Sequence, residues 1–208
     1  TLIGWRQNEV ILPTIEDSRA SGCIFRVAGI TGNIRGASHD RPDGTKVRPT
    51  LAVVDDPQTD ESAKSPLQIA QRLDVIRKAV QRLSSRVSVL IPCTVIEPGD
   101  LADQLLDRDK FPKYRGERTR MLVNFPSDMA LWQKYQATKR ESLAADGDGS
   151  EATEFYRQHR AEMDAGAVVT WPAKYDAPLE LSAEQHAMNR FLDDPGAFWC
   201  EDQNDPAQ

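Results

Sequence analysis

The sequence predicts an α/β fold, with a sheet flanked by helices in the first part of the chain and a mainly helical stretch after it. Two observations carry that prediction. Two short valine-containing runs, at 51–54 and 87–91, are separated by a single amphipathic helical pattern, which is the strand–helix–strand order of a parallel crossover. Beyond Ser127 the large apolar residues fall at helical spacing,. A chain of 208 residues suits one α/β domain, or one domain with a small appendage. The expected division is 1–125 and 126–208.

The elements follow in order. Glu9-Val10-Ile11-Leu12-Pro13 and Cys23-Ile24-Phe25-Arg26-Val27-Ala28 read as strands, joined by the polar loop 17–22,. Residues 29–36 are glycine-rich, and 40–46 form an exposed hairpin tip. Leu51-Ala52-Val53-Val54 is a short apolar strand,. Ser65-Pro66-Leu67-Gln68 opens a helix, with serine as cap, proline in the first turn and glutamine able to complete a capping box. Ile69, Leu73, Ile76, Val80 and Leu83 form its core stripe,. Then come the second strand at 87–91, a helix at 100–107 and a strand at 119–125. Ser127 is the expected cap of a helix running to Ala144. Ser150 begins another that Gly166 can end, 167–172 is extended, and Ser182 caps a last helix,. From Asp193 onward the chain is acidic and turn-rich and reads as a linker or a truncated end.

Composition excludes several classes. A formal net charge of −6 gives no global basic signature for nucleic acid,. Cys23, Cys93 and Cys200 are far apart and odd in number, so reduced thiols and no structural zinc are expected,. No apolar run approaches the roughly 20 residues needed to span a membrane, and no signal peptide is recognisable. The chain begins at Thr1 in mid-pattern, which suggests a segment of a longer protein.

Candidate chemistry centres on Asp55-Asp56, two carboxylates ending the first apolar strand. Paired acids at a sheet edge need a cation or a polarised water to offset their charge. A nucleotide hydrolase builds its Mg²⁺ corner in this way; the plainer alternative is a strand leaving the sheet through an Asp-Pro turn. The second strand ends in Pro92-Cys93-Thr94, so Thr94 stands at the matching tip and is expected to share the cleft,. Thr94 could hydrogen-bond a phosphate or a water, or serve only as a capping hydroxyl. Arg35 in the glycine-rich stretch could face a phosphate or the paired acids, or lie on the surface beside a turn. That stretch is not a P-loop, because no Gly-Lys-Ser/Thr follows,.

One dense basic stretch, Arg108, Lys110, Lys113, Arg115, Arg118 and Arg120, is interleaved with Phe111 and Tyr114. Such residues can neutralise and stack on nucleic acid, though Asp107, Asp109 and Glu117 dilute the field and a solvated loop is the simpler reading. The three histidines lack metal-ligand spacing, and no nucleophile elbow is present.

An ordered set of motifs resembles the large terminase subunit of tailed bacteriophages, the DNA-packaging motor. The set is Ile34-Arg35-Gly36, Arg48-Pro49, Val53-Val54-Asp55-Asp56-Pro57-Gln58-Thr59, Ile91-Pro92-Cys93-Thr94-Val95-Ile96, Trp132-Gln133-Lys134-Tyr135, Glu154-Phe155-Tyr156 and Gln203-Asn204-Asp205-Pro206. The resemblance implies part of a P-loop NTPase (RecA-like, ASCE) sheet followed by the helical stretch that leads to a ribonuclease-H-like nuclease domain. It makes Asp55 the Walker B ligand of Mg²⁺ and Asp56 the carboxylate that orients the attacking water. Thr94 then lies in the motif coupling ATP hydrolysis to DNA movement, and Arg35 falls just upstream of Walker B as in the family. Implied partners are double-stranded viral DNA, a portal protein, the small terminase subunit and further copies in a ring on the procapsid. The implied location is the host cytoplasm, with no membrane. Two departures stand out. Neither Walker A nor the nuclease acids are in this chain, so it is expected to hydrolyse little ATP alone. Many such ATPases carry glutamate where Asp56 stands. Two rivals from other classes are a two-metal nuclease pair at Asp55 and Asp56, helped by Glu97 and Asp100, and a non-catalytic interaction module.

Overall fold

The computed structural model describes residues 4–30, 32, 34, 36–41 and 43–206. The chain divides into two compact units, Thr1–Cys93 and Thr94–Gln208. Residues 94–125, grouped by the sequence with the sheet-bearing part, fall in the second. The architecture is mixed α/β, with small sheets and helices in both units. No helix among the described residues is long and apolar enough to cross a membrane.

In the first unit, β1 (Gly4–Arg6), β2 (Glu9–Ile11) and β3 (Ile24–Arg26) form an antiparallel sheet in that order. A short hairpin, β4 (His39–Asp40) with β5 (Lys46–Val47), follows. Its tip turns at Gly44, whose φ of 79° suits a residue without Cβ,. The strand β6 (Leu51–Val53) leads into a one-turn helix α1 (Asp60–Ala63), then α2 (Pro66–Lys78) and β7 (Ser88–Leu90). β6 and β7 pair in parallel, Leu51 against Ser88 and Val53 against Leu90. The crossover expected from the sequence is therefore present.

Helix α2 forms for the reasons its sequence supplies. Ser65 Oγ accepts from the Gln68 amide and Pro66 takes the first turn,. Ile69, Leu73, Ile76, Val80 and Leu83 are all buried. The expected capping box does not close, because the Gln68 side chain accepts instead from Arg72 at 3.0 Å. The reciprocal box sits one element earlier. There Thr59 and Ser62 each bond the other's backbone amide, Thr59 N to Ser62 Oγ at 2.8 Å and Ser62 N to Thr59 Oγ1 at 3.3 Å,.

The second unit opens with α3 (Leu101–Leu106), capped by Asp100, and continues with β8 (Leu122–Asn124), α4 (Met129–Ala144), α5 (Ser150–Met163), β9 (Val168–Val169) and α6 (Ala183–Asp193). Short turns at Pro195–Ala197 (α7) and Phe198–Asp202, the latter a π-turn, end the described chain. β8 and β9 pair antiparallel. The core gathers Leu122, Trp132, Tyr135, Tyr156, Met163, Met188 and Phe198. Trp132 Nε1 donates to the Met163 carbonyl at 2.8 Å, tying α4 to the end of α5.

Two expectations need correction here. Ser127 does not cap α4: Asp128 does, its carboxylate accepting from the Ala130 amide, while Ser127 Oγ donates to the Ala165 carbonyl. Nor is the segment after Asp193 a linker. Phe198 and Gln203 in it are each 1% exposed, and Gln203 clasps Leu122 through both amide atoms, accepting from its N–H at 3.0 Å and donating to its carbonyl at 2.9 Å. A side-chain amide thus takes the place of a neighbouring strand.

Candidate nucleotide-binding edge

The parallel pairing runs on past the strands themselves. Val54 N donates to the Leu90 carbonyl at 2.9 Å, and Asp56 N donates to the Pro92 carbonyl at 3.0 Å. These bonds carry the backbone of Asp55 and Asp56 to the carboxyl edge, where open α/β sheets place ligands. At the other end of the strands, Ser84 Oγ donates to the Pro49 carbonyl at 2.7 Å and Arg48 reaches the Leu83 carbonyl at 3.5 Å. The end of the crossover segment is thereby tied to the residues that lead into β6.

Asp56 adopts φ = 41°, in the left-handed region. Aspartate tolerates that region better than most residues, yet the conformation still has a cost and is concentrated at functional sites and turns. It is held because its amide is bonded to Pro92 and the following Pro57 and Gln58 are buried. Just beyond them, the Thr59–Ser62 box starts α1. Both carboxylates are exposed, and neither has a side-chain hydrogen bond or ion pair among the described residues. An exposed acid with open oxygens can accept from water or hold a cation through water.

The other nominated residues are placed differently. Thr94 is half-buried and is the first residue of the second unit. The residues after it are stitched to the end of that unit: Val95 N donates to Asn204 Oδ1 at 3.2 Å, and Cys200 Sγ lies 3.5 Å from the Ile96 carbonyl. Arg35 lies outside the described residues. Asp100, offered as a further metal ligand in the nuclease reading, is buried and accepts from the amides of Ile96, Glu97 and Asp103 at 2.7–3.1 Å. Its carboxylate is used in capping α3. No group of three or more His, Cys, Asp or Glu among the described residues could hold a metal ion.

Sequence reasoning missed a polar hollow of about 540 Å³ in the first unit, lined by Arg6, Glu9, Arg26 and His39 among others. It also missed a buried network in the second. There Tyr156 OH donates to Asp164 at 2.7 Å and lies 2.6 Å from Ser182 Oγ. Burial pushes the Tyr156 phenol up, and burial likewise raises the Asp164 carboxyl, against the lowering effect of its bonds from Tyr156 and Arg160,. Only the capping role of Ser182 was legible in the sequence.

No protein-family model matches the chain, and comparisons with curated proteins and with solved structures find no match.

Proposed function

We propose that the chain is a segment of a terminase large subunit, the ATP-driven motor that packages viral double-stranded DNA and cuts it. In this reading the first unit carries part of a P-loop NTPase sheet. The observation that carries the proposal is the pairing of β6 with β7. Across that parallel crossover, Asp55-Asp56 is set at the carboxyl edge with both carboxylates open, and Asp56 is held in a left-handed conformation. The exposed face of the pair also favours a larger sheet, since parallel sheets are ordinarily covered on both faces while Leu51 and Leu90 are 59% and 58% exposed.

Asp55 fits a site for Mg²⁺, because such ions are usually held by one or two carboxylates with water and substrate phosphates completing the shell. Bound there, the ion would offset charge on the β- and γ-phosphate oxygens of ATP. Asp56 would accept a hydrogen bond from the attacking water and orient it toward phosphorus; being one methylene shorter than glutamate, it needs that water closer in. Thr94 belongs to the coupling segment, and its neighbours' bonds to Cys200 and Asn204 give that segment a route to the end of the second unit. Arg35, Walker A, the nuclease acids, the portal, the small subunit, the ring and the procapsid location rest on the resemblance alone. So does the expectation that this chain by itself turns over little ATP.

The nuclease reading is the weaker one, since Asp100 is occupied as a helix cap. The deciding experiment compares Asp56→Asn with wild type in the full reading frame, following Mg²⁺-dependent ATP hydrolysis and plasmid cleavage on the same preparations. Loss of hydrolysis with cleavage retained supports the motor. Loss of cleavage with hydrolysis intact moves the paired acids into a nuclease site, and no effect on either leaves a simple turn.

A further inference from the structure

The basic stretch of the second unit divides into cations that are committed and cations that are not. Arg118 binds Asp103 and donates to the Asn204 carbonyl at 2.8 Å. Arg120 meets Asp205 at 3.0 Å, and Lys110 meets Asp107 at 3.0 Å. These three pin the stretch to α3 and to the end of the chain. Arg108, Lys113 and Arg115 are exposed, and none has a hydrogen bond or ion pair among the described residues.

The turn that presents them is built, not slack. Asp107 Oδ1 accepts from the amides of Asp109 and Lys110. Phe111 N donates to the Asp107 carbonyl at 2.8 Å, and Tyr114 N donates to the Phe111 carbonyl at 3.0 Å. Phe111 and Tyr114 pack edge to face with centroids 6.5 Å apart,. Gly116 lies so close to Leu106 that a Cβ there would stand 2.9 Å from its Cδ2. Three cations outside any ion pair are therefore held within eight positions on a fixed turn, against the single exposed acid Asp109 inside it and Glu117 just beyond, in a chain whose net charge is −6. Like charges gathered on one ordered turn set up a local positive field, and such a field attracts a polyanion. The aromatic pair is spent on the turn itself, which leaves cations rather than stacking platforms facing outward.

We propose that the turn at 108–115 is a contact for the phosphate backbone of duplex DNA, with Arg108, Lys113 and Arg115 each neutralising a phosphate. The choice of DNA among polyanions rests on the motor reading; the division of the cations does not. Such a contact is independent of base sequence and strongly salt-dependent.

The test is fluorescence anisotropy of a labelled duplex titrated with this chain. Three phosphate contacts give a log–log salt slope near −2.7, hence about 40-fold weaker binding when salt rises fourfold. Arg108→Ala/Lys113→Ala/Arg115→Ala is expected to abolish that binding, and Lys113→Glu alone to weaken it several-fold. The charge-matched control Arg77→Ala/Arg82→Ala/Arg86→Ala, on exposed positions of the first unit, is expected to bind as wild type does. No binding by wild type, unchanged binding by the 108–115 variant, or equal loss in the control overturns the proposal. Hydrolysis of ATP by the full reading frame is read separately, so failure here is distinct from failure of the motor reading.

Discussion

The second unit removes Trp132, Tyr135, Tyr156 and Phe198 almost wholly from water, whereas among the largest fully buried side chains of the described residues only Ile76 belongs to the first. The first unit instead leaves Leu51, Val53 and Leu90 more than half exposed on one face of β6–β7. Both units are similar in length, so size does not explain the difference. One buries aromatic side chains between long helices; the other commits its backbone to a two-stranded parallel pair, which has too little surface to cover itself. The contrast teaches that stability and candidate chemistry are separated along this chain. The open carboxylates and the left-handed aspartate lie in the unit with the thinner core.

The sharpest way to break this comparison is Trp132→Ala. It removes a fully buried ring and its bond to Met163, and is expected to cost about 3–5 kcal/mol in denaturant titration. A cost below about 1 kcal/mol, the range of ordinary surface changes, would mean the second unit does not depend on its aromatic core.

Tyr156→Phe is next, with an expected cost of about 1–3 kcal/mol because Asp164 and Ser182 lose a buried partner,. It also has a signature in pH. Burial raises the Asp164 carboxyl above its ordinary 3.8, so the folded state holds that proton more tightly than the unfolded state. The Asp164 contribution to stability therefore falls as pH rises from 3.8 through the raised folded value,. Because the Tyr156 bond lowers the Asp164 value, removing the hydroxyl should move the carboxyl titration further upward, as read by carbon NMR. A downward move contradicts the assignment of the Tyr156 bond as one that favours the ionised Asp164 carboxylate.

Smaller effects test the first unit. Asp56→Gly should relieve the positive φ and leave stability within about 1 kcal/mol of wild type, the glycine's chain entropy offsetting the relieved strain. Hydrolysis in the full reading frame should still be lost. A fall in stability of several kcal/mol would assign Asp56 a structural role instead. The smallest effect is expected for Leu51→Thr/Leu90→Thr, within about 0.5 kcal/mol for this chain, measured by thermal unfolding. A large loss would show that the face is covered in solution.

How much was legible follows the same division. The β6–α2–β7 order, the five-residue stripe on α2 and the Ser65 and Ser182 caps were readable because each rests on local periodicity or a cap residue next to its helix. The Thr59–Ser62 box was not read, since serine rather than glutamate closes it. Gln203's clasp on Leu122 bridges 81 residues, and Tyr156 meets Ser182 across 26; neither leaves a local signal. The acidic turn-rich composition after Asp193 concealed the buried Phe198. For the site, Asp55 and Asp56 were found at the strand tip as expected, but the backbone strain at Asp56 has no sequence marker beyond the aspartate itself.

Amide hydrogen exchange on the full reading frame, with and without Mg²⁺ and a non-hydrolysable ATP analogue, tests the central claim most directly. The account predicts slowed exchange at 54–59, where Val54 and Asp56 donate to the neighbouring strand, with helices α4 and α5 unchanged. Unchanged exchange at 54–59 under saturating nucleotide would contradict it.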